Sequence, residues 1–167
     1  MGNQTRLLGQ ALETDLNQLH TWYAADGTAE MWQAGTRAEH RGGRWQAMQS
    51  LPDFAGLLRG SGRAVAFDAK SKVGGGSYTH PKDRKHQIQH LWRVHQAGGV
   101  AFILLVVGNT AGWMILPRPE WEWGEGRSVK LAPSPLVLSV PAYRRATGAY
   151  FPDWVSVCQR VQELRAA

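Results

Sequence analysis

Cysteine is almost absent from this chain: Cys158 is the only one in 167 residues. A lone thiol excludes an internal disulfide and any zinc site built from several cysteines. Long apolar runs are missing too, for the longest, Val100 to Val107, is too short to cross a bilayer and reads as a buried strand. Met1 to Arg6 is polar with no long apolar run behind it, so no signal peptide is expected. The chain therefore reads as soluble and cytoplasmic, with no membrane partner. Acidic residues are few beside basic ones, 13 Asp and Glu against 19 Lys and Arg, for a net charge of +6 and a pI near 9.9. That balance favours an anionic partner such as nucleic acid. Two common phosphate and nucleophile signatures are also lacking. Gly74-Gly75-Gly76 is not followed by Gly-Lys-Ser/Thr, and Ser77 has no nucleophile-elbow context. His86 and His90 share a helical face, but no third protein ligand joins them in a zinc pattern.

What is present suits a folded protein: 43% hydrophobic and 19% charged residues over a length that allows one domain, residues 1–167. Eight tryptophans supply core and, on the surface, rings able to stack on bases. Gln4 to Ala24 has the period of an amphipathic helix, with Leu8, Leu12, Leu16 (or Leu19) and Tyr23 on its apolar side and Gln10, Glu13 and Asn17 on a polar stripe. Residues 28–50 carry Arg37, Arg41 and Arg44 among glycines and Trp32 and Trp45, as a basic arm or an irregular strand pair. Gly74-Gly75-Gly76 reads as a mobile loop, and Lys82 to Ala97 as a second helix closed by Gly98-Gly99. Val100–Val107 and Gly112–Leu116 read as an antiparallel pair, residues 117–150 as an irregular segment, and Pro152–Ala166 as a closing helix. The order implies an α/β fold with a mixed β-sheet flanked by helices.

The most informative stretch is a hairpin, Leu51 to Leu58 and Arg63 to Lys70 around a glycine-bearing turn. Alternation along a strand places Asp68 and Lys70 on one face, and Val65, Phe67 and Ala69 on the other. If Leu58 pairs with Arg63, Asp53 falls directly opposite Asp68. Carboxylates opposed across a ladder lie about 5 Å apart and repel, which a chain tolerates when a cation sits between them. Oxygen-only ligands favour Mg²⁺, with Mn²⁺ as a substitute. Lys70 then stands ready to orient water or stabilise developing charge, and the Ala69 carbonyl is a plausible further ligand. Asp-x-Lys is a commonplace tripeptide on its own, and Glu13 and Gln87 by themselves read as solvated helix residues.

Asp53 and Phe67-Asp68-Ala69-Lys70, with Pro52 before the first acid, resemble the PD-(D/E)xK nuclease superfamily. Three stretches in order resemble the RecU-type Holliday junction resolvases of bacteria and their phages: Leu12-Glu13-Thr14-Asp15-Leu16-Asn17; Asp53-Phe54-Ala55-Gly56 with Phe67-Asp68-Ala69-Lys70; and His86-Gln87-Ile88-Gln89-His90-Leu91 followed by Gly98-Gly99-Val100-Ala101-Phe102-Ile103. Together they cover residues 9 to 107. The resemblance implies a restriction-endonuclease-like core and a metal-dependent homodimeric endonuclease that cuts opposed strands of a four-way junction. It makes Asp53 and Asp68 metal ligands, Lys70 catalytic, Glu13 an assistant to the metal, and Gln87 a support of the site or a phosphate contact. Arg37, Arg41, Arg44, Lys72, Arg84 and Lys85 are the expected DNA contacts. Two departures stand out: Asp68 replaces the commoner glutamate, and residues 28–50 are shorter than the arm such enzymes insert into a junction. A nuclease of other DNA specificity and a non-catalytic basic DNA-binding protein are the competing readings.

Overall fold

A computed structural model of the chain describes residues 2–34, 38–41, 44–47, 52–81, 84–108, 111–117, 128–144 and 150–166. Three helices and twelve strands alternate along them. They are α1 (Gly2–Asp26), β1 (Ala29–Gln33), β2 (Ala38–Arg41), β3 (Arg44–Ala47), β4 (Phe54–Leu58), β5 (Arg63–Lys72), β6 (Ser77–Thr79), α2 (Lys85–Gln96), β7 (Val100–Val107), β8 (Ala111–Ile115), β9 (Ser128–Lys130), β10 (Val137–Val140), β11 (Ala142–Arg144), β12 (Tyr150–Pro152) and α3 (Trp154–Ala166). Six strands form one mixed sheet in the order β1-β4-β5-β7-β8-β10. Only β5 and β7 run parallel within it, and α2 supplies the crossover that a parallel pair needs. The helices flank this sheet, as in a restriction-endonuclease-like core. No helix among the described residues is long and apolar enough to cross a membrane.

The alternation expected of the hairpin sorts the core into two layers. Val65 and Phe67 of β5 join Leu12, Leu16 and Leu19 of α1 and Trp154 and Val157 of α3 on one face. Ala66 joins Ile88 and Leu91 of α2, Tyr78 of β6, and Ile103 and Leu105 of β7 on the other. Strand β7 is buried on both faces, which explains its unbroken apolar run. Both Leu16 and Leu19 are buried, because the apolar stripe of α1 is wide enough to meet the sheet and α3 together.

Several segments differ from the sequence expectation. Residues 29–33 are no part of an arm; they pair antiparallel with β4 and form an edge of the main sheet. Strands β2 and β3 form a separate antiparallel pair, from Ala38↔Ala47 to Arg41↔Arg44. The glycine loop after β5 is tied at several points: Lys72 Nζ donates to the Ser77 carbonyl at 2.6 Å, and the Leu131 amide donates to the Gly76 carbonyl at 2.8 Å. Residues 128–130 and 137–140, expected to be irregular, are strands, and β10 completes the main sheet.

The helix ends have local causes. Gly98 follows α2 with φ +87°, its amide reaching the His95 carbonyl while the Gly99 amide reaches that of Val94. This is the paired-bond stop that a left-handed glycine permits. Asp153 caps α3, accepting from the Ser156 amide at 3.4 Å, and it also accepts the Tyr23 hydroxyl of α1 at 2.8 Å.

Candidate active site

Strands β4 and β5 pair from Leu58↔Arg63 to Phe54↔Phe67, so one further step sets Asp53 opposite Asp68. Beyond that last rung the side chains take over from the ladder. The Asp53 amide donates to Asp68 Oδ1 at 3.2 Å, and the Ala69 amide donates to Asp53 Oδ2 at 2.9 Å. Lys70 Nζ bridges the pair, 3.3 Å from Asp53 Oδ2 and 3.0 Å from Asp68 Oδ2. Asp68 is fully buried, whereas the Asp53 and Lys70 side chains keep 28% and 14% of their exposure. The three groups thus line a partly open recess with one wall inside the protein.

Packing beneath the acids fixes them. Phe54 follows Asp53 and Phe67 precedes Asp68, and both phenyl rings are fully buried and stacked at 5.1 Å. Phe67 stacks in turn on Phe102 at 4.8 Å. Truncating such a ring typically costs about 3–5 kcal/mol, so the carboxylates ride on a stiff aromatic layer. From the third side, the Ala34 amide of the chain leaving β1 donates to the Asp53 carbonyl at 2.9 Å.

The electrostatics carry the cost of crowding two acids. The Asp53 carboxyl is held above its ordinary range by burial first and by the Asp68 charge second, with Lys70 and the Ala69 amide pulling the other way. Among the described residues Asp68 Oδ2 makes no hydrogen bond, and the Lys70 ammonium lies 3.0 Å from it. The two aspartates exceed the lysine by one negative charge. Hard oxygen donors with an uncapped buried carboxylate suit a divalent cation such as Mg²⁺, which takes one or two protein carboxylates and keeps several waters.

The other expected residues are placed as follows. Gln87 is buried in the first turns of α2, on the sheet face that carries Asp68 and Lys70. Glu13 is exposed on α1 and accepts from Gln33 Nε2 at 3.4 Å. Among the described residues no three His, Cys, Asp or Glu side chains come together to hold a metal, so Glu13 stands apart from the aspartate pair. Ala69 presents its amide to Asp53. Lys72 is engaged with Ser77, while Arg84 and Lys85 are exposed at the start of α2. Arg37 lies outside the described residues, and Arg41 and Arg44 lie on β2 and β3 with their side chains outside the described part.

Sequence reasoning missed Tyr78 and His80. Tyr78 Oη lies 3.0 Å from His80 Nδ1, and His80 Nε2 lies 3.0 Å from the Arg84 carbonyl. Burial and then the charge of Asp68 push the Tyr78 phenol up, with the nearby Arg84 charge pulling the other way. Nothing in a three-residue strand after a glycine loop signals this. A cavity of about 430 Å³, lined by Leu58, Arg59, Gly60 and Val155 among others, lies at the opposite end of β4 from Asp53 and has no part in the site.

The family model for Recombination protein U (RecU) matches residues 7–120. The chain belongs to the RecU family. It is also similar to the Holliday junction resolvase RecU of Bacillus pumilus (strain SAFR-032), 27% identical over 109 residues. That alignment covers 58% of this chain and 52% of the relative, so the chain spans about half the length of the curated relative it matches. The RecU match runs from α1 through β8 and includes Glu13, Asp53, Asp68, Lys70 and Gln87. It leaves β9 to α3 outside, so the α3 cover of the sheet and the β9 partner of Tyr78 belong to the unmatched part.

Proposed function

We propose that this chain is an endonuclease that resolves four-way DNA junctions by nicking opposed strands in recombination and repair, with Mg²⁺ (or Mn²⁺) as cofactor. The observation that carries the reading is the interlocked Asp53–Asp68–Lys70 group inside the segment matched by the RecU family. The similarity to the Bacillus Holliday junction resolvase supports the junction as substrate, and with it goes a proposed bacterial or phage setting in the cytoplasm.

Asp53 and Asp68 are the residues that would hold the cation. When bound, it polarises the phosphate and lowers the pKa of water. The rest falls to the chain. Water attacks phosphorus, the phosphorus–oxygen bond of the leaving strand breaks, and the two strand ends depart as a phosphate and a hydroxyl. Lys70 Nζ, now shared between two carboxylates, is a mobile positive charge for the developing charge on phosphorus. Gln87 supplies an amide from the face that carries Asp68, for the site or the phosphate. Arg84 and Lys85 stand exposed where the backbone of DNA would pass, and the start of α2 adds its own positive pole. Two opposed strands need two such sites, which a homodimer would provide. Glu13, bonded to Gln33, has a supporting place at most.

The test is a cleavage assay on four-way junction, duplex and single-stranded DNA, with and without Mg²⁺. Symmetric nicks on the junction alone are expected. Equal cutting of duplex would make the protein a nuclease of other specificity, and salt-sensitive binding without cutting would make it a DNA-binding protein.

A further inference from the structure

Strand register carries the acids' face of the sheet outward, across β4 to the edge strand β1. The row of side chains next to Asp53 and Asp68 on that face is Trp32 of β1, Ala55 of β4 and Ala66 of β5. The odd-numbered residues of β1 take the other face, where Met31 packs on the core and Gln33 meets Glu13 of α1. Ala66 is buried in the layer formed by α2, but the row opens towards the edge. Trp32 keeps 51% of its exposure, and Leu57, one row further on, keeps 43%.

An open strand face is ordinarily polar, and a bare indole beside an active site is not. Trp32 lies diagonal to Asp53 across the β1–β4 pair, a spacing of about 7–8 Å that an aromatic side chain can span. Ala55 beside it is too small to cover the ring, and among the described residues no other ring or hydrogen bond engages it. Glu30, the acid of the same floor, is paired with Arg59 and so does not close the floor to an anionic strand. A DNA strand with its phosphate at the aspartates can therefore pass over Trp32. Stacking of a base on such a ring is worth about 1–3 kcal/mol. A paired base hides both faces in the duplex, and freeing it costs energy that is least for a base already unpaired. The bare ring thus selects a base at a branch or in a single strand.

We propose that Trp32 is a base-stacking platform beside the active site: it holds an unpaired base next to the scissile phosphate and so favours branched over continuous duplex DNA. The inference rests on the nuclease reading for the position of the phosphate, not for the stack itself.

The test measures binding in EDTA, where no strand is cut, to a four-way junction, a single strand and a continuous duplex. Trp32→Leu keeps apolar bulk but removes the π face. It should bind the junction and the single strand about tenfold more weakly and the duplex as wild type does. Its salt dependence should match wild type, because no phosphate contact is lost. Trp32→Phe keeps a ring and should recover most of the loss. Should Trp32→Leu not fold, Trp32→Thr, a strand former suited to an open face, takes its place with the same expectation. 2-Aminopurine at the branch point is dim when stacked, so it should stay dim on wild type and brighten on Trp32→Leu. Wild-type affinity of Trp32→Leu for junction and single strand, an equal loss on all three DNAs, or a Phe variant as weak as the Leu one overturns the proposal. Fluorescence that is equally dim on both proteins does so too. A DNA-free Trp32→Leu protein that elutes as a smaller species than wild type also overturns it, by placing the ring between two copies of the chain. The expected binding pattern in a protein that leaves junctions uncut with Mg²⁺ would sink the junction reading and spare the stack. Unchanged binding by Trp32→Leu in a protein that does resolve junctions would sink the stack alone.

Discussion

The Asp53 backbone amide donates to the side chain of Asp68 at 3.2 Å, and the Ala69 amide returns the bond to the side chain of Asp53. The acids therefore extend the β4–β5 ladder past its last backbone rung, each satisfying a main-chain donor of the opposite strand. Structure and chemistry draw on the same oxygens, and substitutions can separate the two uses.

Asp68→Asn keeps the Oδ1 acceptor but removes the charge. It should fold and bind DNA normally while cleaving at least about 100-fold more slowly, the usual scale for losing one electrostatic element of a preorganised site. Asp68→Ala also orphans the part-buried Asp53 amide, which should cost a further 1 kcal/mol, roughly, in stability. Chemical denaturation beside the cleavage assay tells the two apart. Wild-type cutting by Asp68→Asn would remove Asp68 from the reaction.

Asp53 makes the metal-free protein sensitive to pH. Its carboxyl is raised above the ordinary 3.8 in the fold, so the stability it contributes is present below that value and lost as pH rises through the folded pKa. Asp53→Asn should then be more stable than wild type in EDTA, by a margin that grows from acid to neutral pH. Mg²⁺ should raise the melting temperature of wild type at neutral pH and leave Asp53→Asn unmoved. Thermal melts at two pH values, with and without Mg²⁺, read both effects. Identical responses of the two proteins would argue against Asp53 as a ligand.

His20 sets the acid limit. It lies buried among Phe54, Phe67 and Trp154, with centroids 4.9 to 5.9 Å away, and its Nε2 has no hydrogen bond. Burial lowers its pKa from 6.5 to about 4. A lowered histidine favours the fold when neutral, so its contribution is complete above pH 6.5 and is lost as pH falls towards 4. The full loss is on the order of 3 kcal/mol, and it has the opposite sign to that of Asp53. His20→Leu should flatten this limb, so that urea melts at pH 7.5 and 4.5 differ by less than in wild type. An unchanged difference would show that His20 does not govern acid unfolding.

The hairpin was legible in the sequence because its two runs are apolar, its turn carries glycines, and period-two alternation allows few registers; Leu58↔Arg63 is the pair observed. α2 and β7 were legible for the same reason, one from a helical stripe and the other from a continuous apolar run. Strand β1 was hidden, since Glu30 and Trp32 of an edge strand are not fully covered and weaken the pattern. The Tyr78–His80 pair was hidden more deeply. It depends on β6 meeting β9 about fifty residues later in sequence, and pairings between three-residue strands leave almost no local trace. Glu13 shows the reverse case: its motif is plain in the sequence, yet its side chain is bonded to Gln33, and among the described residues it forms no three-residue metal cluster with the acids.

Edge strand β1 nevertheless matters to the site, and Gly56 is the place to test it. Gly56 pairs with Met31, and a Cβ there would fall onto the Glu30 carbonyl and Met31 Sδ and lie 2.9 Å from Met31 Cα. Backbone cannot step aside as a flexible side chain would, so Gly56→Ala must push β1 from β4 at a cost of about 3 kcal/mol. The displacement should reach the active site, because the Ala34 amide just beyond β1 holds the Asp53 carbonyl at 2.9 Å. Gly60 is the control. It sits in the turn at the other end of β4 with φ +80° and open space around its Cβ position. Gly60→Ala should cost about 1 kcal/mol of backbone strain and leave cleavage unchanged. Gly56→Ala should lose cleavage even at temperatures where circular dichroism shows it folded. Equal activity in the two folded variants would mean that β1 plays no part in holding Asp53.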